Sequence, residues 1–318
     1  MHSLIDQLLF SVAITGPICL MIILGMIFKR IGLINDNFID VASKLVFKVT
    51  LPAMLFLSIV NSEHDFSAAS QFITFSIIAN ILFFIFTYAF VGTLFRDSAD
   101  KGVIIQGSFR ANTGIIGLAY VANAYGETGV ALAAIYVAVT TFIYNVQAVI
   151  CLTPKGATSG VSAGKIMLTT LTKNPLIIAI VSGLVFYLLS IPVPDIAIDA
   201  GNYFARMTLP LALLCTGGSL DLSSMKKEQR PAWLASSYKL ILAPLVVTTA
   251  GYWFGFRGLE LGILFFMSAS PVAAASYVMA RSMGGNAVLA ANIIALTTVV
   301  STLTCTIGII ILTSLHAI

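Results

Sequence analysis

Charge is what this chain has least of. Asp, Glu, Lys and Arg make up 9% of its 318 residues, where soluble domains carry roughly 25%. That shortage excludes an ordinary water-soluble fold. The 13 carboxylates are also badly placed for chemistry inside an apolar layer, since they lie in polar loops or at the ends of apolar runs. Asp40, Asp199 and Glu260 penetrate only a turn or so, which leaves a proton relay of buried acids unsupported. Histidine is nearly absent as well: His2, His64 and His316 fall at the termini or in a short loop, which offers no metal site. Cys19, Cys151, Cys215 and Cys305 are scattered through apolar segments without metal-ligand spacing, so they read as small packing residues. No buried nucleophile has a base beside it, and an intramembrane enzyme is therefore not expected. The stretch before the first apolar run has no Lys or Arg and no small-residue cleavage site, which points to a retained helix and not a signal peptide.

What is present is hydrocarbon. Hydrophobic residues make up 58% of the chain and the mean hydropathy is +1.00. Runs of about 20 apolar residues, enough to span a bilayer core, recur near 7–28, 37–60, 68–94, 102–123, 128–152, 173–191, 196–220, 231–253, 258–281 and 287–312. The expectation is an all-α polytopic membrane protein with ten transmembrane helices. Basic residues set its orientation. Lys29, Arg30, Arg96, Lys101, Lys155, Lys165, Lys173, Lys226, Lys227, Arg230 and Arg281 follow odd-numbered runs, whereas the opposite loops and both termini carry Arg257 alone. Odd loops are then cytoplasmic and both chain ends extracytoplasmic. The formal charge of +4 is accounted for by topology, and nucleic acid is not an expected partner.

Sliding the chain against itself by 158 residues aligns Pro17 with Pro175, Gly25 with Gly183, Thr50-Leu51-Pro52 with Thr208-Leu209-Pro210, Gly126 with Gly284 and Thr140 with Thr298. A Thr-Leu-Pro with a proline 35 residues upstream in both halves is hard to obtain by chance. Each half holds five helices, an odd number, so the second half enters the membrane from the opposite side. This predicts a five-plus-five inverted repeat, residues 1–152 and 173–318, joined by a Gly-, Ser-, Thr- and Lys-rich cytoplasmic linker at 153–172.

The fourth run contains Gly107-Ser108-Phe109-Arg110-Ala111-Asn112-Thr113-Gly114-Ile115-Ile116-Gly117, a cation, an amide, a hydroxyl and glycines where lipid-facing helices carry Leu and Ile. The offset places Asn112 on Ser270 and Thr113 on Pro271. Interrupted segments in corresponding positions are a pointer to a transporter's binding site. The expected break runs from Asn112 to Gly117, with Gly114 and Gly117 allowing unusual backbone geometry, and it faces a second break at Ser268-Ala269-Ser270-Pro271. Half-helix ends would aim N–H groups and positive dipole ends at the bilayer centre, which suits a carboxylate. The predicted substrate-binding residues are Arg110, Asn112, Thr113, Gly114, Asn145, Ser268, Ser270 and Pro271.

Other polar residues are less informative. Lys44 is shallow enough to snorkel. Lys48 and its repeat mate Arg206 are deeper, and either a functional role or pairing with Asp40 or Asp199 would account for them. Asn80 reads as an interhelical hydrogen bond, and Lys239 has no obvious partner in the sequence. No cofactor is expected; a coupling Na⁺ or H⁺ remains open, as does uncoupled export.

Val46-Phe47-Lys48-Val49-Thr50-Leu51-Pro52-Ala53, Phe109 to Ala119, Asn174-Pro175-Leu176-Ile177-Ile178, Ala269-Ser270-Pro271-Val272-Ala273 and Tyr277-Val278-Met279-Ala280 resemble the signature segments of the auxin efflux carrier family. The resemblance implies ten helices divided between a scaffold and a transport domain, with broken fourth and ninth helices crossing at the substrate. It also implies organic anions as substrates, auxins in plants and malonate or malate in bacteria. The short linker matches bacterial members, and Thr113-Gly114 stands in place of the plant-type proline, so auxin specificity does not carry over to this chain. The resulting expectation is a secondary transporter of mono- or dicarboxylates in the cell inner membrane, working by alternating access, with the bilayer as surroundings and a homodimer left open. The alternatives are a sodium-coupled symporter of the related bile-acid type and a non-transporting membrane sensor.

Overall fold

The structure is a computed structural model that describes residues 4–62, 69–96, 98–153, 174–220 and 229–318. Apart from Thr153, the predicted linker lies outside the described residues, as do Lys155, Lys165, Lys173, Lys226 and Lys227 of the orientation argument, together with His2, Glu63, His64, Asp65, Asp97, Asp221 and Glu228.

The described residues are helical nearly throughout. In chain order the helices are α1 (Leu4–Arg30), α2 (Asp36–Val60), α3 (Ser70–Leu94), α4 (Lys101–Phe109), α5 (Thr113–Leu152), α6 (Pro175–Leu188), α7 (Asp195–Ser219), α8 (Arg230–Phe254), α9 (Gly258–Ala269), α10 (Ala275–Ser282) and α11 (Ala287–Ser314). Six are long and apolar enough to cross a membrane, namely α1, α2, α3, α5, α8 and α11, while α6 and α9 are shorter apolar helices. The ten expected runs are divided differently here for three physical reasons. The fourth and ninth runs are split by breaks. The fourth continues into the fifth through a kink at Gly126 (φ +61°). The seventh is long enough but carries Asp195, Asp199 and Arg206.

Hydrocarbon surroundings explain the surface and much of the polar interior. Leu8, Leu9, Leu82, Ile85, Phe86, Phe90, Trp253, Leu303 and Ile311 stand exposed on the outside of the bundle, which only an apolar medium makes favourable. Interior hydroxyls turn back on their own helices: Thr15, Ser76, Thr87, Thr140 and Thr208 each donate to the carbonyl four residues earlier. Widened π turns at Val46–Thr50 and Tyr238–Leu242 precede Pro52 and Pro244, whose missing N–H groups loosen the turn before them. The bend expected at Thr50-Leu51-Pro52 is the first of these.

Helices from the two halves interleave. α1 packs along α7, and α2 lies against α6 and α7. α3 packs on α4 and α5, and α8 packs on α9, α11 and α4. Close backbone approach sets the first group: a Cβ on Gly25 would lie 2.1 Å from the Leu214 carbonyl oxygen, and one on Gly217 2.0 Å from that of Ile22. On the facing pair, a Cβ on Gly183 would lie 3.3 Å from the Phe56 carbonyl oxygen. Gly284, between α10 and α11, has φ +76°, as Gly126 has φ +61°.

Candidate functional site

Two helices stop in the middle of the bundle and touch there. α4 ends at Phe109, and Arg110 leaves it with extended backbone (φ −74°, ψ 112°). α9 ends at Ala269, and Ser270 leaves it the same way (φ −62°, ψ 147°). Ala111 and Val272 then form an antiparallel bridge. The Asn112 N–H donates to the Pro271 carbonyl at 2.7 Å, and the Val272 N–H donates to Thr297 Oγ1 on α11 at 3.1 Å. These bonds satisfy main-chain groups that hydrocarbon could not.

The first break lies earlier than the sequence suggested. It covers Arg110 to Asn112, and Thr113–Gly117 is already the opening π turn of α5, whose Gly117 N–H bonds the Asn112 carbonyl at 2.9 Å. The second falls at 270–274, so Ser268 and Ala269 belong to the last turn of α9. The glycines also serve another purpose than expected. Gly114 has no left-handed backbone and nothing within 4 Å of its missing Cβ, whereas a Cβ on Gly117 would meet the Met267 sulfur at 2.8 Å. Gly117 permits close approach of α5 to α9, and Gly114 leaves open space.

That space belongs to a cavity of about 370 Å³ on one side of the crossing. Arg110, Asn112, Thr113, Gly114 and Asn145 line it, together with Thr141 and Tyr144 of α5, Ser43 of α2, Thr216 and Ser219 of α7, and Ala273, Ala274 and Ala275 at the start of α10. Two helix N-termini therefore open on it, 113–115 and 273–275, each beginning with N–H groups that a helix leaves without internal acceptors. Arg110 is buried, at 6% exposure. It is held from two sides, donating to Asn145 Oδ1 at 2.9 Å and to the Met279 sulfur at 2.7 Å. A guanidinium anchored by a neutral amide and a thioether keeps its full charge for an anion.

Ser268, Ser270 and Pro271 sit behind the cavity wall. Ser268 Oγ donates to the Leu264 and Phe265 carbonyls, Ser270 Oγ donates to that of Met267, and the Pro271 carbonyl is occupied by Asn112. Their part in the crossing is to close helix ends. Sequence reasoning missed Tyr144, Thr141, Ser43 and the Ala273–Ala275 backbone. Tyr144 adjoins the picked Asn145, but an alanine run carries no side-chain signal. Asn80 accepts from Gln147 Nε2 at 3.2 Å, the interhelical bond its mid-helix position predicts.

A second cavity, about 410 Å³, lies beyond the crossing and is lined by Met54, Asn61, Asn123, Glu127, Asn202, Arg206 and Leu213 among others. Arg206 thus faces a cavity, whereas Lys48 is exposed and lines neither; Asp40 is paired with Lys44 at 2.6 Å. Four residues or fewer separate the two cavities along three helices, Leu51 from Met54, Ala212 from Leu213 and Ile115 from Ala119. The barrier is about one turn, or ~5 Å, thick.

The chain is similar to known membrane transporters. The family model described as membrane transport protein matches residues 12–309. An uncharacterized transporter of Methanothermobacter thermautotrophicus is 23% identical over 287 residues, covering 89% of this chain and 92% of the relative. The uncharacterized transporter MJ1031 of Methanocaldococcus jannaschii is 25% identical over 297 residues, 90% and 94% of the two chains. The uncharacterized transporter YfdV of Escherichia coli K12 is 24% identical over 282 residues, 86% and 88%. With the family model covering nearly its whole length, the chain belongs to the membrane transport protein family, the auxin efflux carrier family that its signature segments resemble.

Proposed function

We propose that this protein is a secondary transporter that moves small mono- or dicarboxylates across the cell inner membrane by alternating access. The observation that carries this reading is the cavity at the crossing, where a buried, fully charged Arg110 and two helix N-termini converge on one space. Every one of these elements favours a compact anion. Arg110 and Asn145 hold one carboxylate, Asn112 and Thr113 complete the polar wall, and the open space at Gly114 admits the ligand against the backbone.

The two cavities, divided by a thin apolar barrier, support alternation. A small shift of α4, α5, α9 and α10 past α2 and α7 would close one cavity and open the other. An inverted repeat supplies such a pair of near-equivalent states. Two features support that repeat at the 158-residue offset. Gly25 against Leu214 is mirrored by Gly183 against Phe56, and Gly126 and Gly284 share positive φ. In the orientation that basic residues favour, the Arg110 cavity opens to the cytoplasm and both termini lie outside.

Melting of purified protein against a panel of mono- and dicarboxylates, followed by flux of the best stabiliser in proteoliposomes, tests the reading. At least one carboxylate should raise the melting temperature and be transported above empty liposomes. A panel in which none does either would overturn it.

A further inference from the structure

Lys239 is among the most deeply buried large side chains of the protein, at 1% exposure, in the π turn of α8. Its Nζ donates to the Ser268 carbonyl in the last turn of α9. Neither the Lys29–Asp36 pair nor the Lys44–Asp40 pair involves it. What it meets is the negative end of a half-helix, where carbonyls lack internal partners. Beside it is a cavity of about 20 Å³ where Ser76, Asn80, Tyr136, Tyr144 and Ser268 meet six apolar side chains. That is space for one water-sized particle.

Both α4 and α9 bring their C-terminal ends to the crossing; Lys239 caps that of α9, and Arg110 follows that of α4 in the chain. The two cations are not repeat equivalents: Arg110 aligns with Ser268, and Lys239 aligns with Ile81. Arg110 lines the large cavity and Lys239 does not, Tyr144 being common to the two cavities. One charge is free to meet the substrate, and the other serves only the helix end. Carbonyls of a broken helix with neighbouring amide and hydroxyl oxygens are the ligand set with which transporters hold a coupling Na⁺.

We propose that the Lys239 ammonium is a tethered replacement for a diffusible monovalent cation at the end of α9, so that carboxylate transport by this protein needs no Na⁺. The inference rests on the transporter reading above and specifies its coupling. Removing the ammonium should turn the vacated space into a Na⁺ site.

The test compares wild type, Lys239→Ala and Lys239→Met in NaCl and in choline chloride, by melting and by malonate flux in proteoliposomes. Wild type should behave alike in both salts. Lys239→Ala should melt lower in choline and regain stability and flux in NaCl, by about tenfold or more in flux, equivalent to about 1.4 kcal/mol. Lys239→Met, whose apolar chain fills the space, should not respond to Na⁺. Wild-type melting or flux that requires Na⁺ would overturn the proposal, and so would a Lys239→Ala protein indifferent to Na⁺ or unfolded even in its presence. If malonate is the wrong substrate, flux is silent in every sample while the melting comparison still decides.

Discussion

Arg110 and Asn112 sit two residues apart and make separable contributions. Asn112 ties the crossing together through its main-chain N–H, so its side chain is free of that duty. Asn112→Ala should keep the melting temperature close to wild type while lowering carboxylate flux about tenfold or more, since a hydrogen bond to a charged ligand contributes about 1.5–3 kcal/mol. Wild-type flux in this variant would remove Asn112 from the site. Arg110→Gln retains a side chain able to bond Asn145 but loses the charge. Binding of carboxylates should weaken by about ten- to a hundredfold, with neutral analogues changing little; equal losses for both would show that the charge is not what recognises the ligand. Arg110, Asn112, Thr113 and Asn145 were legible in the sequence because polar residues in an apolar run are conspicuous. The Lys239 contact was not, because its acceptor is a main-chain carbonyl 29 residues away.

At the scale of helices, the breaks were legible as dense Gly, Ser and Pro, but their register was not. Where α4 stops is fixed by the Asn112–Pro271 and Val272–Thr297 bonds, which join segments far apart in the chain. Glycine illustrates the same limit. The sequence marks Gly25, Gly114 and Gly217 alike, yet only the first and last have neighbouring backbone within 2.1 Å of a built Cβ. Gly25→Ala and Gly217→Ala should therefore destabilise by about 1–3 kcal/mol through overpacking between α1 and α7. Gly114→Ala should leave melting unchanged, because its side chain meets open space. Thermal melting of the three variants checks the contrast, and equal effects would contradict the packing described.

For the molecule as a whole, the membrane-spanning character followed from composition, and the meeting of two broken helices followed from the offset between halves. The paired cavities could not be read, since they are gaps between helices whose rotation about their axes only packing determines. Cys215, at 3% exposure on α7, lines the Arg110 cavity and is a natural reporter of its access. In a variant with Cys19, Cys151 and Cys305 replaced by Ala, a membrane-impermeant thiol reagent should label Cys215 from one side only. A bound carboxylate should slow that labelling. A cysteine at Asn202, in the second cavity, should be labelled from the opposite side. Labelling of both sites from the same side would contradict alternating access. The most direct measurement is a cryo-electron microscopy structure with the carboxylate that most raises the melting temperature. Ligand density bridging Arg110, Asn145 and the starts of α5 and α10, between interrupted helices, is the predicted result; continuous helices through 110–112 and 270–274, or a ligand bound away from them, would contradict the account.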